Sequence, residues 1–281
     1  MENGVRKIEY SKCYVAFLDV LGFKNLVLSN KKEDKKKIDE YFSLIEEVTE
    51  YLREIKAKAK RNLGSIIISD SVILSVPVGN SDNEKIENLR HLCIAVGKIQ
   101  FSLALNNIWL RGAISSGDAY FNPVENQVVG PAYIGAYLLE ERQAINPRVI
   151  IDNKIIKELK ADSAQDFIEK INDKRQGGLH FTNWSKEVLF EWQHNDFIKK
   201  KLAKDISLFI DYLHPVFDDQ TSLKRIIKNI EKSMYSANGI YSKFRWVVDY
   251  LMSNSEFYLN HPLCEIDNKI LRGCYFKLQK L

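Results

Sequence analysis

The sequence predicts an α+β protein: a ferredoxin-like βαββαβ core followed by a helical extension. Three observations carry that expectation. The run 14–20 (YVAFLDV) is short, apolar and rich in aromatic and β-branched residues, and Gly22 follows it, so it reads as a buried strand ending in a turn. Stretches 38–55 and 84–107 place apolar residues three or four apart, which is helical spacing. Between them, 65–76 (SIIISDSVILSV) has two β-rich arms around Ser69-Asp70-Ser71, the composition of a hairpin with a polar tip.

Each element follows in order. Ile38, Tyr41, Phe42, Ile45, Val48, Leu52 and Ile55 form the buried stripe of the first helix, and the lysine-rich run 31–37 reads as its solvated approach. The second helix is expected to start at an N-cap, Asp82, and to run through Ile86, Leu89, Leu92, Val96, Ile99 and Leu103. A strand pair, 108–115 and 119–122, should be joined at Ser116-Gly117. Gly130 then leads into a helix at 131–142 with Pro131 at its first position, and 148–151 is a further strand. The order is that of a split βαβ unit. Beyond Asp152 the sequence suggests a helical stretch to Ile171, a Gly177-Gly178 turn, strand-like pieces at 188–192 and 206–213, and helices at 222–234 and 239–252 separated by a Ser-Ala-Asn-Gly stop. The expected division is one domain at 1–215 and a helical extension at 216–281 packed on it.

Composition excludes several classes. With 281 residues, 45% of them hydrophobic and 11% aromatic, the chain has material for a sizeable core and is not intrinsically disordered. Forty-one Lys and Arg against 37 Asp and Glu leave +4, not the concentrated basic excess of a nucleic-acid binder. Tyr241, Phe244, Trp246 and Tyr250, interleaved with Lys243 and Arg245, are expected to lock a helix to its domain. No nucleic-acid partner is expected. Cys13, Cys93, Cys264 and Cys274 form no CxxC pair, Cys93 reads as packing, and a reducing, cytoplasmic location is expected. No stretch approaches the ~20 apolar residues of a membrane span, and the N-terminus lacks the order of a signal peptide. The five histidines show no zinc spacing, and there is neither a P-loop nor a GxSxG elbow.

Two carboxylates stand out, Asp19 at the end of the first strand and Asp70 at the hairpin tip. An ionised carboxylate among buried residues is costly unless it meets a cation. In a βαββαβ sheet the first strand neighbours the hairpin, so both side chains can converge on one or two Mg²⁺ ions. The competing reading is that each merely caps a turn.

The segment Phe17-Leu18-Asp19-Val20-Leu21-Gly22-Phe23 matches the F-x-D-[IV]-x-G-F form of the class III nucleotidyl cyclases, and residues 10–152 resemble that family. Its second metal carboxylate lies in the hairpin, usually after Gly, where Ser69-Asp70 stands here. The run from Leu110 to Gly117 resembles its fourth strand, while Gly130, Ala136, Leu139 and Glu140 fit its next helix. Departures are informative: the Asn and Arg of the purine cyclases fall on Ile134 and Leu138, and the Lys and Asp that read adenine fall on Ile66 and Gln127.

Together with SDSVILSVP, LRGAISSGD, VVGPAYIGAYLLEE, NPRVIID and KFRWVVDYL, the chain resembles the bacterial Pycsar pyrimidine cyclases. That resemblance implies conversion of UTP, or CTP, to cyclic UMP or cyclic CMP plus pyrophosphate, as a second messenger in antiphage defence acting on a separate effector protein. It implies two divalent cations, Mg²⁺ or Mn²⁺, held by Asp19, Asp70 and the Val20 carbonyl, and a homodimer with sites at the subunit interface. The backbone amides of Leu21, Gly22 and Phe23 suit the phosphates. Arg111 and Arg148, with Arg142 third, are the candidates to replace the missing transition-state arginine. Tyr41 and Tyr51 of the first helix, whose spacing also suits the core, and Ser71 and Gln127 are candidates to read the base. A catalytically silent nucleotide-sensing module and a purine cyclase are the alternatives.

Overall fold

A computed structural model describes residues 8–59, 64–172, 189–191, 195–196, 201–202, 208–237, 239–259 and 264–281. The first half follows the expected order: β1 (Ser11–Val20), α1 (Phe23–Val27), α2 (Lys32–Ala59), β2 (Gly64–Ile68), β3 (Ser71–Pro77), α3 (Asp82–Leu105) and β4 (Leu110–Asn122). Then come β5 (Gln127–Val129), α4 (Pro131–Gln143), β6 (Val149–Ile151), α5 (Asn153–Glu158) and α6 (Ala164–Asn172). Short strands β7 (Leu189–Glu191), β8 (Asn195–Asp196), β9 (Lys201–Leu202) and β10 (Leu208–Ile210) precede a 3₁₀ turn at His214–Asp218 and helices α7 (Gln220–Met234), α8 (Tyr241–Leu259) and α9 (Asn268–Gln279).

The main sheet runs β2-β3-β1-β4-β6-β10-β7, with β5 added on β4 and β8 paired with β9 apart from it. Its first four strands are antiparallel neighbours, which is the ferredoxin-like order. The chain then crosses through α4 so that β6 lies parallel to β4, and β10 and β7 extend the sheet antiparallel. The α+β class is therefore as the sequence predicts.

Central position explains the character of β1. Paired on both edges and covered on both faces, it is a near-continuous apolar run rather than an alternating one. Tyr14, Ala16, Leu18 and Val20 join the large core that includes α2 and α3, and also takes in residues of α7 and α8 such as Ile226, Phe244 and Val247. Cys13, Val15 and Phe17 face the other way, against Ala132 and Ala136 of α4. Asp19, two residues beyond Phe17, belongs to this α4 face, because strand side chains repeat every second residue.

Several local expectations are corrected. There is no break at Ser116-Gly117: β4 is one strand, because its ladder with β1 runs unbroken from Ser11 opposite Ala119 to Val20 opposite Leu110. The hairpin is instead β4–β5. The N-cap of α3 is Ser81, not Asp82, since the Ser81 hydroxyl accepts from the Glu84 amide and the Glu84 carboxylate returns to Ser81, a reciprocal capping box. Most of the lysine run lies inside α2 itself, on exposed positions. The helical stretch to Ile171 is two helices, divided where Lys160 takes a left-handed φ of 52°. The extension carries a third helix, α9, which the sequence reading did not anticipate. The Gly177-Gly178 turn lies outside the described residues, as do Val188 and Asn238.

Candidate active site

The register of the sheet assembles the site at one end of β1. Asp19 stands opposite Ser71 of β3 on one side and opposite Arg111 of β4 on the other. The tip of the β2–β3 hairpin is tied to the same place, because the Val20 amide donates to the Asp70 carbonyl at 3.2 Å. Ser69 makes that tip possible by adopting φ 57°, a left-handed conformation that Gly or Asn takes more readily. The two carboxylates singled out in the sequence are thus brought to one sheet end.

Arg111 bridges two acids. Its Nε lies 3.3 Å from Asp19 Oδ2 and 2.8 Å from Glu140 Oε1 on α4, and Glu140 is 3% exposed. Gly112 lets the strands close around this pair, since a Cβ there would sit 2.4 Å from the Phe17 carbonyl oxygen. Two acids share one guanidinium, with the Asp70 charge near Asp19. Burial pushes the Glu140 carboxyl up to about 7, against the opposing pull of Arg111 and with help from the Asp19 charge. Burial likewise raises Asp19; Arg111 opposes it and Asp70 reinforces it. Lys243 on α8 favours the ionised form of both groups.

Glu140 and Lys243 are the residues that sequence reasoning did not place in the site. Glu140 was visible only as a residue fitting a helix, and its signal was the Leu-Glu pair at the end of an apolar helix face. Lys243 gave no local signal, because its position depends on how the extension packs.

The remaining candidates separate clearly. The Leu21 amide is committed to the Trp109 carbonyl at 2.8 Å, so it is not available to a phosphate. Gly22 holds φ 76° as the N-cap of α1 with no atom within 4 Å of a would-be Cβ; its glycine answers the backbone turn, not crowding within the protein. The Phe23 ring is buried against Tyr41, at 5.6 Å between centroids. Tyr41 is 1% exposed and sealed between Phe23 and Phe42, so a nucleobase has no surface of it to touch. Its hydroxyl is pushed above the usual phenol range by burial and by the charges of Asp70 and Asp19. Ser71 remains half-buried beside Asp19.

Arg148 is 3% exposed, and its guanidinium lies 5.2 Å from the centre of the Trp246 ring, a cation–π contact with α8. That burial corrects its expected reach to phosphate. Arg142 and Gln127 are exposed, on α4 and β5 respectively. Phe244 and Tyr250 are buried, as a helix-locking role requires, and the Cys93 thiol is pushed up by complete burial.

Chemically, the sheet end offers hard oxygen donors. Among the described residues no cluster of three or more metal-ligating side chains occurs. Two carboxylates and the Val20 carbonyl are nevertheless the protein share expected of a divalent ion that takes its other ligands from phosphates and water. Burial is the main cause of the raised Asp19 and Glu140, and a dication would favour their ionised forms.

No family model matches the chain, and no curated protein matches it. Similar solved structures include the adenylyl cyclase CyaB from P. aeruginosa, 15% identical over 55% of this chain and 83% of that one, with a TM-score of 0.40. A bacterial light-regulated adenylyl cyclase is 13% identical over 80% of this chain and 59% of that one, with a TM-score of 0.42. The monomeric guanylyl cyclase domain of the RhoGC fusion protein from the aquatic fungus Blastocladiella emersonii is 13% identical over 56% and 90%, with a TM-score of 0.37. At these identities no residue role passes from those proteins to this chain.

Proposed function

We propose that the protein is a nucleotidyl cyclase that converts UTP or CTP to the 3′,5′-cyclic monophosphate and pyrophosphate. The observation that carries this reading is the convergence of Asp19 and Asp70 at one sheet end. Asp19, Asp70 and the Val20 carbonyl are the residues that would hold Mg²⁺ or Mn²⁺. When bound, the ions supply acidification of the ribose 3′-hydroxyl and neutralisation of the triphosphate. The chain's own part is orientation. Gly22 turns the backbone toward the phosphates, Arg111 sits within reach of Asp19 and the reacting phosphate, and Glu140 holds Arg111 from behind. The ribose 3′-hydroxyl gives its proton to solvent water, its oxygen attacks the α-phosphorus in line, the bond from that phosphorus to the bridging oxygen of the β-phosphate breaks, and pyrophosphate leaves with that electron pair.

The pyrimidine assignment is supported by the motifs FLDVLGF, SDSVILSVP and LRGAISSGD, and by Ile134 and Leu138 where the related purine enzymes carry Asn and Arg. A homodimer belongs to the same reading. Ile134 and Tyr137 of α4 are 48% and 38% exposed, which supports a second copy over this helix. Synthesis of a signal for a separate effector protein in antiphage defence is the biological role the reading carries.

The test is to incubate the protein with Mn²⁺ and each of ATP, GTP, CTP and UTP, identify products by mass spectrometry, and run Asp70→Ala beside it. A cyclic pyrimidine monophosphate from the wild type alone is expected. Turnover of a purine alone overturns the base assignment and keeps the chemistry. A silent nucleotide-binding module is the second reading; the Arg111–Asp19 pair favours it, because a guanidinium already occupies one of the metal carboxylates. Nucleotide binding without product under all four conditions decides for it.

A further inference from the structure

We propose that Lys243, carried by the C-terminal helical layer, is a phosphate-binding residue of the site at the end of β1, supplied from the same chain. The inference deepens the cyclase reading and rests on it for the identity of the phosphate.

The geometry begins with the first turns of α8. Phe244 packs edge-on against Trp109 at 5.2 Å, and Trp109 is the residue whose carbonyl holds the Leu21 amide. Two residues further, Trp246 receives the guanidinium of Arg148. Arg111 lies between these two anchor points, two residues after Trp109, and the Gly112 amide beside it donates to the Arg148 carbonyl at 3.0 Å. The start of α8 is therefore pinned across the same sheet end that carries Asp19 and Arg111. Phe244 and Ile240 also line a cavity of about 620 Å³ together with Val20, Leu21 and Gly22, and with Lys31, Lys37 and Lys232; Lys243 and Asp19 are outside its lining.

Lys243 sits in this turn, half-buried, with its amide bonded to the Ile240 carbonyl. Among the described residues its ammonium makes no ion pair within 4.0 Å. Its charge is nonetheless felt at both Asp19 and Glu140. Of the two arginines expected to serve the phosphate, Arg148 is engaged with an indole in the interior, and Arg111 already pairs with two carboxylates. A flexible lysine whose charge no carboxylate pairs closely, half-buried in the helix turn packed on the end of β1, adds a cation for a triphosphate beside Arg111.

The experiment compares wild type, Lys243→Gln and Lys243→Arg. Calorimetry measures binding of inorganic tripolyphosphate with Mn²⁺, and kcat and KM are measured with whichever nucleotide turns over. Thermal melts confirm that the variants fold. Lys243→Gln should weaken tripolyphosphate binding and kcat/KM by about ten- to hundredfold, the loss of one charge-assisted contact, and Lys243→Arg should recover most of both. Equal binding by Lys243→Gln and wild type overturns the inference, whatever the activity. Weakened binding in a protein that makes no cyclic product keeps Lys243 as a phosphate ligand and sinks the cyclase reading instead. Absence of tripolyphosphate binding by the wild type overturns the inference outright.

Discussion

Two polar clusters in this molecule are built on opposite principles. At the end of β1, Asp19 and Glu140 share the guanidinium of Arg111 with Asp70 near Asp19, and burial lifts Asp19 and Glu140 above their ordinary range. In the C-terminal layer, Asp211 is 4% exposed, yet its oxygens are taken by the Tyr250 hydroxyl, the Asn254 side-chain amide at 3.2 Å and His214 Nδ1 at 3.2 Å. His214 is held in turn by the Tyr258 hydroxyl at 2.7 Å from Nε2, and Tyr250 also receives the Leu213 amide. The second cluster is closed and fully partnered, the arrangement that fixes one packing of a core. The first is open at one side and short of positive charge. Such an electrostatic deficit is what a site for cations and a polyphosphate requires, whereas a structural network has no use for it.

The sharpest way to break this contrast is Asp19→Asn. Metal-dependent turnover should fall on the order of a thousandfold, because several kcal/mol of charge stabilisation depend on the ions, while the melting temperature stays near that of the wild type. Retained activity would mean that the sheet end is not the site. The opposite pattern is expected for Asp211→Ala: a loss of about 4 kcal/mol in urea unfolding, since His214, Tyr250 and Asn254 lose their shared acceptor. A stability change below about 1 kcal/mol would remove the claim that this network holds the layer together.

A third measurement follows the pH dependence of stability in EDTA, with Glu140→Gln as the reference. The folded protein holds the Glu140 proton up to about pH 7, whereas the unfolded chain releases it near its ordinary value of 4.5. Between those values the unfolded state binds fewer protons, so stability falls as pH rises through the window and levels off above it. Wild type should lose up to about 3 kcal/mol relative to Glu140→Gln from pH 4.5 to 7.5. Parallel curves would mean that Arg111 neutralises Glu140 completely. The smallest effect is expected from Tyr258→Phe, about 1 kcal/mol from one lost hydrogen bond in the closed network, read by the same unfolding assay.

Much of the frame was legible in the chain because its signals are local. The YVAFLDV run, the two helical stripes and the Ser69-Asp70 hairpin needed only periodicity and turn chemistry, and each formed where expected. The mistaken break at Ser116-Gly117 shows the limit of that method. A glycine after small residues reads as a turn, but pairing with the whole length of β1 holds β4 straight through it. Tyr41 and Arg148 failed in the same way as site candidates, since spacing shows that a residue is on a helix or near a strand end and not how deeply its neighbours bury it.

Alone, the sequence determined the α+β class, the helical and strand periods, and the two carboxylates at positions where burial makes charge costly. Local propensity and side-chain chemistry suffice for those. Only the tertiary structure decided that Arg111 joins Asp19 to Glu140, that Leu21 spends its amide on Trp109, and that α8 sets Lys243 beside the acids. These depend on strand register and on the packing of a helix more than 200 residues away in the chain, and neither is written in any short window of sequence.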